Sequence, residues 1–413
     1  MFLLKRNNVD VLVALEVGTS KVVAAVAELR EDGTLTLLGV GEVPSSGLRK
    51  AEVVDFNDAQ ACIRQALHKA EKETDVEIRE VSLALSGLHI KSRTDSVRTV
   101  ICDEERIITG EHLDELRNLA EHLGISSDHV FIFLEAQQYL LDHRTPVREP
   151  IGQVSHTLEA LYHLAYGVKT RFLTTARCVG QLGVHVNRYA LASFAMSRAV
   201  LDDETRQRGA VAIDLGAGVT NYIVYVNGSI VHSGVLGVGG DHLTQDLSVG
   251  LRLTYLKAEN LKKQHGNLFM DGHQPEERIL IEKDMTSEER WIYRESMTRI
   301  LYARQRELLQ LIERDMEDAG LWSQVHAGVF LTGGASQIKG LQQLAQEVFT
   351  APVTMVHEHA FLGSQAYSKR PDLSTVLGLL LYEQEKQLQN PRQGGWRKIT
   401  QTMTEWLKSV GLF

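Results

Sequence analysis

The stretch that decides the fold is Val211-Ala212-Ile213-Asp214-Leu215-Gly216-Ala217-Gly218-Val219-Thr220, because nearly the same arrangement occurs almost half a chain earlier, from Val11 to Ser20. Each copy joins an apolar run, an acidic residue, a glycine-bearing turn and a second apolar run. Asp32-Gly33 and Asn227-Gly228 then lead into a third run. Such dipeptides favour type I′ hairpins, in which both central residues have positive φ. The sequence therefore predicts two copies of a three-strand meander.

The composition is that of a globular protein without a basic surface. The chain has 413 residues, 43% of them apolar, and a net charge of -9. This length allows two or more domains, and the negative charge argues against nucleic acid as a partner. Cys62, Cys102 and Cys178 are far apart and odd in number, and they are predicted to be buried thiols.

Helices are predicted after the meanders, which makes the fold class α/β. The first helix has Asp58 as its cap and a buried face of Ala59, Cys62, Ile63, Ala66, Leu67 and Ala70. A second runs from Met297 to Ala319 and is closed by Gly320. Val329 to Thr332 is predicted to be a strand that passes through Gly333-Gly334 into a helix from Ile338 to Val348. A strand, two glycines and a helix suit the close approach of a ligand.

The two glycine-bearing loops can clamp a polyphosphate. Backbone N–H groups would bind its oxygens, while Glu16 and Asp214 would hold Mg²⁺ through water. A single loop of this kind is as well explained as an ordinary hairpin with turn glycines, but the duplication favours phosphate binding. The candidate loop residues are Gly18, Thr19, Ser20, Lys21, Gly216, Gly218, Val219 and Thr220, together with Gly333, Gly334 and Ala335.

In order and separation these motifs resemble those of the superfamily of actin, the heat-shock chaperone ATPases and the sugar kinases. Within it the chain resembles the FtsA family of bacterial cell-division proteins. The motifs that carry the resemblance are Leu15 to Thr19, Leu83 to Gly87, Leu331 to Ala335 and Ser374 to Leu379. The resemblance implies actin-like, duplicated ribonuclease-H-like lobes around a cleft that binds ATP and Mg²⁺. It also implies an inserted α+β subdomain.

Further roles are implied by the resemblance alone. Glu259 and Lys262 match the purine and ribose contacts of the family, with Gly240 nearby. Without the resemblance, their spacing would indicate a solvated pair on a helix. The resemblance implies that helices of the second lobe recruit the tubulin-like ring protein FtsZ. Arg304 matches a basic position of the family there, although it is equally explained as one more surface charge. Filaments of the chain with itself are also implied, as are contacts of the inserted subdomain with other division proteins.

Two residues depart from the pattern of the superfamily. Glu16 stands where actin has Asp, and its longer carboxylate still reaches a water on Mg²⁺. Asn221 stands where chaperone-type relatives carry Asp and actin carries His, near the attacking water. An amide cannot accept a proton. We therefore expect ATP binding with slow or negligible hydrolysis, the nucleotide acting as a brace between the lobes, and we name no catalytic residue.

The C-terminal segment is predicted to be an amphipathic helix. One stripe of apolar residues follows a polar linker, and it consists of Trp396, Ile399, Met403, Trp406, Leu407 and Val410. A helix packed on the body would show the same stripe, but the linker and the two tryptophans favour a helix in the lipid headgroup plane. The expected location is peripheral, on the inner face of the bacterial cytoplasmic membrane at the division site.

The expected organisation has seven parts. They are a first-lobe core (9–83), an inserted subdomain (84–165), first-lobe core again (166–200), a second lobe (201–360), a return to the first lobe (361–382), a linker (383–395) and the membrane helix (396–413). Two other functions share this body: a membrane-platform adaptor of the pilus-assembly type and a small-molecule kinase. The kinase would need an acidic base, and neither needs the C-terminal helix.

Overall fold

The computed structural model describes residues 10–270, 277–283, 289–356, 362–363 and 365–389. Within these ranges no helix combines the length and the apolar character needed to cross a membrane. The predicted amphipathic helix at 396–413 lies outside the described residues.

The first lobe opens with the predicted meander and its helix. The elements are β1 (Asp10–Val17), β2 (Lys21–Leu29), β3 (Leu35–Pro44), β4 (Leu48–Arg49), β5 (Glu52–Val53), α1 (Phe56–Thr74) and β6 (Glu80–Leu85). The six residues predicted for the inner face of α1 are all buried. The predicted cap is wrong, because the Asp55 side chain accepts the N–H of Asp58 and caps the helix.

An antiparallel sheet with one helix follows β6. Its elements are β7 (Lys91–Val100), α2 (Gly110–Glu121), β8 (His129–Leu141), β9 (Thr145–Val147) and β10 (Thr157–Val168). The strand order is β7-β10-β8-β9, and α2 packs on the sheet through Leu116 and Ala120. The last strand ends after residue 165, and the bounds 84–165 remain a prediction. Cys102 lies here and is exposed, so its predicted burial is wrong, whereas Cys62 and Cys178 are buried.

The chain then returns to the first sheet. The elements are α3 (Lys169–Gly180), β11 (His185–Leu191), α4 (Ala192–Val200) and α5 (Asp203–Arg208). β11 runs parallel to β6, which runs parallel to β1. The first sheet therefore adds two parallel strands to its meander, in the order β11-β6-β1-β2-β3.

The second lobe repeats this topology. Its elements are β12 (Ala210–Leu215), β13 (Thr220–Val226), β14 (Ser229–Leu236), α6 (Gly240–Gly250), α7 (Tyr255–His265), β15 (Arg278–Ile281), β16 (Arg290–Tyr293), α8 (Arg294–Asp318), β17 (Gly328–Thr332), α9 (Leu341–Phe349) and β18 (Val353–Met355). The sheet order is β14-β13-β12-β17-β18, a meander followed by two parallel strands. The predicted duplication is confirmed in both the meander and the order of the sheet.

Three local predictions in the meanders and the second lobe have different outcomes. Asn227 and Gly228 both have positive φ, as a type I′ turn requires, but at the β2–β3 tip only Gly33 does. The predicted end of α8 just before Gly320 is confirmed, and Gly320 has a φ of +67. The helix after Gly333-Gly334 begins only at Leu341, so Ile338 lies outside it.

The last described segment returns to the first lobe as β19 (Leu362–Gly363), which pairs with β3, and α10 (Ser374–Gln389). α10 packs on α4 and on the first sheet. It continues through 383–389, where the polar composition predicted a linker, so that prediction is wrong. Glu383 is buried, accepts a hydrogen bond from Ser82 Oγ at 2.6 Å and pairs with Arg188. Paired charges allow a polar segment to be buried.

Candidate functional site

A cleft of about 740 Å³ lies between the two lobes. Both meanders, the turn after β17, α6, α7, the segment before α10 and the first residues of α10 contribute to its walls. The predicted residues that line it are Glu16, Gly18, Thr19, Ser20, Lys21, Asp214, Gly216, Gly218, Val219, Asn221, Gly240, Glu259, Lys262, Gly333, Gly334 and Ala335. Thr220 does not line it, because its side chain is fully buried and Oγ1 donates to Val238 O at 2.8 Å.

The two glycine-bearing loops meet across the cleft. A Cβ on Gly218 would lie 2.5 Å from Thr19 Oγ1, so the loops come this close only because residue 218 has no side chain. The second loop is also tied to the start of α6, since Gly240 N donates to Gly216 O at 2.9 Å. This arrangement places the N-terminus of α6 beside both loops, where backbone N–H groups favour an anion.

Glu16 and Asp214 place two carboxyl groups in the cleft. Burial, followed by the nearby charge of Asp214, raises the pKa of Glu16 to about 8, and its Oε2 is buried without a hydrogen-bond partner. Burial raises the pKa of Asp214 to about 6, against the hydrogen bonds from Thr375 and Asn221. An unpartnered buried oxygen beside a second carboxylate fits a hydrated divalent cation. No group of three or more ligands for direct metal binding occurs among the described residues.

A network of charges that sequence reasoning missed lines the same cleft. Lys21, predicted to face phosphate, pairs with Asp372 and lies 3.5 Å from Glu42. Arg370 Nη2 bridges the carboxylates of Glu42, at 2.7 Å, and Asp372, at 2.6 Å. Burial opposes ionisation of Asp372, but hydrogen bonds and charge from Arg370 and Lys21 lower its pKa well below the usual range. Arg370-Pro371-Asp372 directly before the Ser374-Thr375 motif is the signal that could have indicated it.

The pair on α7 borders the opposite part of the cleft. Glu259 and Lys262 are 2.7 Å apart, and Lys262 Nζ also donates to Gly240 O at 2.8 Å and to Thr244 Oγ1 at 2.7 Å. The two side chains are largely buried, so the interpretation as a solvated helix pair is wrong. Gly333 has φ +93, and a Cβ there would lie 2.2 Å from Asp214 Oδ1. Residue 333 must therefore be glycine, because the Asp214 carboxylate packs directly against its backbone.

Comparison with known proteins identifies the family. The model "Cell division protein FtsA" matches residues 211–378, and the model "SHS2 domain inserted in FTSA" matches residues 87–166. A cell division protein FtsA of Neisseria meningitidis is 30% identical over 367 residues, which cover 89% of this chain and 88% of that protein. The chain belongs to the FtsA family. The FtsA of Escherichia coli K12 is 28% identical over 415 residues, 99% of this chain and 98% of that protein.

Solved structures show that this FtsA-family chain has an actin-like fold, as predicted. The PilM-PilN type IV pilus biogenesis complex has a TM-score of 0.63 at 17% identity and covers 90% of this chain and 98% of its own. MreB5 of Spiroplasma citri bound to ADP has a TM-score of 0.53 at 15% identity, covering 92% and 98%. The FtsA insertion domain completes the predicted fold class, except for the C-terminal helix, which is outside the described residues.

A strained turn supports the first loop of this FtsA homologue. Lys50 and Ala51, at the tip of the β4–β5 hairpin, have φ of +51 and +59, and Ala51 N donates to Thr19 Oγ1 at 2.8 Å. The left-handed region costs a residue with a Cβ about 1 to 2 kcal/mol. The hairpin therefore holds Thr19 in place at a cost in backbone strain.

Replacing Ala51 with Gly removes this strain. We expect Ala51→Gly to raise the free energy of unfolding by about 0.5 to 1 kcal/mol, measured by urea denaturation. Ala70→Gly, near the C-terminal end of α1, is the control and should lower it, since glycine weakens a helix and the buried methyl group is lost. A loss of stability in Ala51→Gly would show that the positive φ is not strained.

Arg304 of the FtsA-family chain lies outside the cleft, on α8. It pairs with Asp246 on α6, with Nε to Oδ2 at 2.6 Å, and with Glu307 at 2.5 Å. Its side chain is partly exposed, and all three guanidinium nitrogens donate to Asp246 or Glu307. A role in partner binding stays a prediction.

Proposed function

We propose that the chain binds Mg²⁺–ATP in the cleft, assembles into filaments on the inner face of the cytoplasmic membrane and tethers FtsZ there. The observation that carries the nucleotide site is the pairing of duplicated loops with two buried carboxyl groups, one of which has an unpartnered oxygen. Solved MreB5 structures with this fold contain ADP and AMPPNP, which supports the same class of ligand. Membership of a cell-division family favours this function over the pilus adaptor and the kinase.

The nucleotide acts as a brace between the lobes. Its phosphates would contact loops from both lobes, so binding favours the closed arrangement over any open one. Asn221 supplies no general base, which supports slow or negligible hydrolysis. A bound nucleotide that persists would stabilise one shape of the subunit and therefore one filament contact.

The membrane contact is assigned to residues 396–413 from the sequence. The basic residues Arg397, Lys398 and Lys408 flank the apolar stripe, and each adds about 1 kcal/mol on anionic lipid. A single interfacial helix binds weakly, whereas a filament that carries many of them binds by avidity. Other division proteins would contact the inserted sheet, and FtsZ would contact the second lobe near Arg304.

Co-sedimentation with anionic liposomes tests the proposal. With ATP and Mg²⁺ the full chain should pellet with the liposomes and carry purified FtsZ with it, while a chain ending at Gln393 should lose at least about tenfold in bound protein. The truncated chain should still bind FtsZ in solution, which controls for its folding. Equal pelleting of both chains would eliminate the membrane helix. Pelleting of the full chain without FtsZ would eliminate the tether.

A further inference from the structure

Asp214 and Asn221 face one another across two strands. They are directly opposite in the antiparallel pair β12–β13, so both side chains project from the same face of the sheet, into the cleft. Both are buried, at 8% and 5% exposure. The Asn221 side chain lies close enough to the Asp214 carboxyl group to lower its pKa. The amide is therefore a direct neighbour of the candidate cation ligand.

The partners of Asn221 define which way its amide points. An ionised carboxylate only accepts hydrogen bonds, so the Nδ2 group must face Asp214. The Oδ1 atom then faces Ser86, whose Oγ donates to it at 2.6 Å. Each end of the amide has one suitable partner, and a carboxylate at position 221 could not make both contacts. It would also add one more negative charge beside Glu16 and Asp214.

This chain of contacts crosses the cleft. Ser86 follows β6 in the first lobe, and Asn221 and Asp214 belong to the second. Thr375 lies on α10, which packs on the first lobe. Its Oγ1 donates to Asp214 Oδ2 at 3.3 Å. Two first-lobe hydroxyl groups thus constrain one second-lobe carboxylate, and both contacts exist only when the lobes are close.

We propose that Asn221 is a positioning residue that orients Asp214 toward the hydrated Mg²⁺ of a bound nucleotide, with Ser86 holding the amide from the opposite lobe. The inference rests on the proposed nucleotide function and deepens it. Groups that orient a metal-binding side chain typically change metal affinity about 10- to 100-fold when they are removed. In this arrangement the amide contributes to cation binding, and the cation site is complete only in the closed cleft.

The test is the effect of Mg²⁺ on ATP affinity. The Kd for ATP is measured by titration calorimetry with Mg²⁺ and with EDTA, and the ratio of the two values is the Mg²⁺ enhancement. We expect Asn221→Ala and Asn221→Asp to reduce the enhancement about tenfold or more while the Kd in EDTA changes little for Asn221→Ala. Ser86→Ala should reduce it by a smaller factor, and Ser86→Thr, which keeps the hydroxyl group, should restore it.

Ser92→Ala is the matched control. Ser92 Oγ donates from the inserted sheet to Ser233 O of the second lobe at 2.5 Å, outside the cleft, so this variant should keep the full enhancement. The inference is overturned if Asn221→Ala keeps the enhancement, or if it weakens ATP binding equally with and without Mg²⁺. Wild-type protein that binds no ATP under either condition would overturn the proposed function itself. Binding in the wild type without any Mg²⁺ enhancement would overturn the inference alone.

Discussion

Gly378→Ala should lower the free energy of unfolding by about 3 kcal/mol or more, the upper range for overpacking a core. Gly378 lies in α10 where the helix crosses α4, and an added Cβ would be 1.8 Å from the carbonyl oxygen of Ala195. The obstacle is backbone, so no side-chain rotation relieves it. The two helices would have to separate within a core that contains Val376, Leu377 and Leu380. Urea denaturation followed by circular dichroism measures the loss.

Gly110→Ala is the control for this substitution. Gly110 is the exposed first residue of α2, and an added Cβ there has no neighbour within 4 Å. Alanine should be neutral or slightly stabilising at this position. Because α10 also carries Thr375, a folded fraction of Gly378→Ala should lose ATP affinity as well. Equal unfolding midpoints for wild type and Gly378→Ala would contradict the helix separation.

Glu16→Gln should have opposite effects on the metal-free and the metal-loaded protein. Burial raises the pKa of Glu16 from its ordinary 4.5 to about 8, so the folded protein keeps a proton there that the unfolded chain has lost. The folded state then binds more protons between these pH values, and stability falls as pH rises through that window. Each pKa unit corresponds to about 1.4 kcal/mol, so the cost at pH 8 is several kcal/mol. Glutamine does not ionise and therefore avoids this cost.

Thermal unfolding without metal, from pH 5 to 8, measures this effect. The melting temperature of wild type should fall more steeply with pH than that of Glu16→Gln, and the variant should be the more stable at pH 8. Adding Mg²⁺ and ATP should stabilise wild type strongly and the variant little, because an amide is a poor ligand for the hydrated cation. The exposed substitution Glu31→Gln should change neither profile. Parallel pH profiles for wild type and Glu16→Gln would contradict the raised pKa.

The sequence predicts those parts of the fold whose cause is local and repeated. Two apolar runs around a glycine turn occur twice, and both meanders and the inner face of α1 follow from spacing alone. The site is predicted to the same extent, since Glu16, Asp214 and their glycines belong to these repeats. The insertion could be expected from the pattern of the chain and by resemblance, but no spacing indicates where α2 packs.

Contacts between distant segments account for what was missed. Asp372 reaches Lys21 from the other end of the chain, and no local pattern indicates that pairing. The polar neighbours of Glu383 predict a linker, but Arg188 and Ser82 make its burial possible. The glycine motif predicts Thr220 as part of the phosphate loop, yet alternation along β13 directs its hydroxyl group to Val238. In each case a side chain's partner, and not its own polarity, decides its position.

The burial of Glu383 also has a mechanical consequence. α10 is the last described helix, and any pull on residues 390–413 enters the body along it. The pair with Arg188 and the hydrogen bond from Ser82 resist sliding of this helix, so the force is spread over β6, in the interior of the first sheet, and β11, at its edge. The same helix carries Thr375 at its other end, in contact with Asp214. Tension at the C-terminus and binding of a ligand in the cleft would thus act on opposite ends of the same helix.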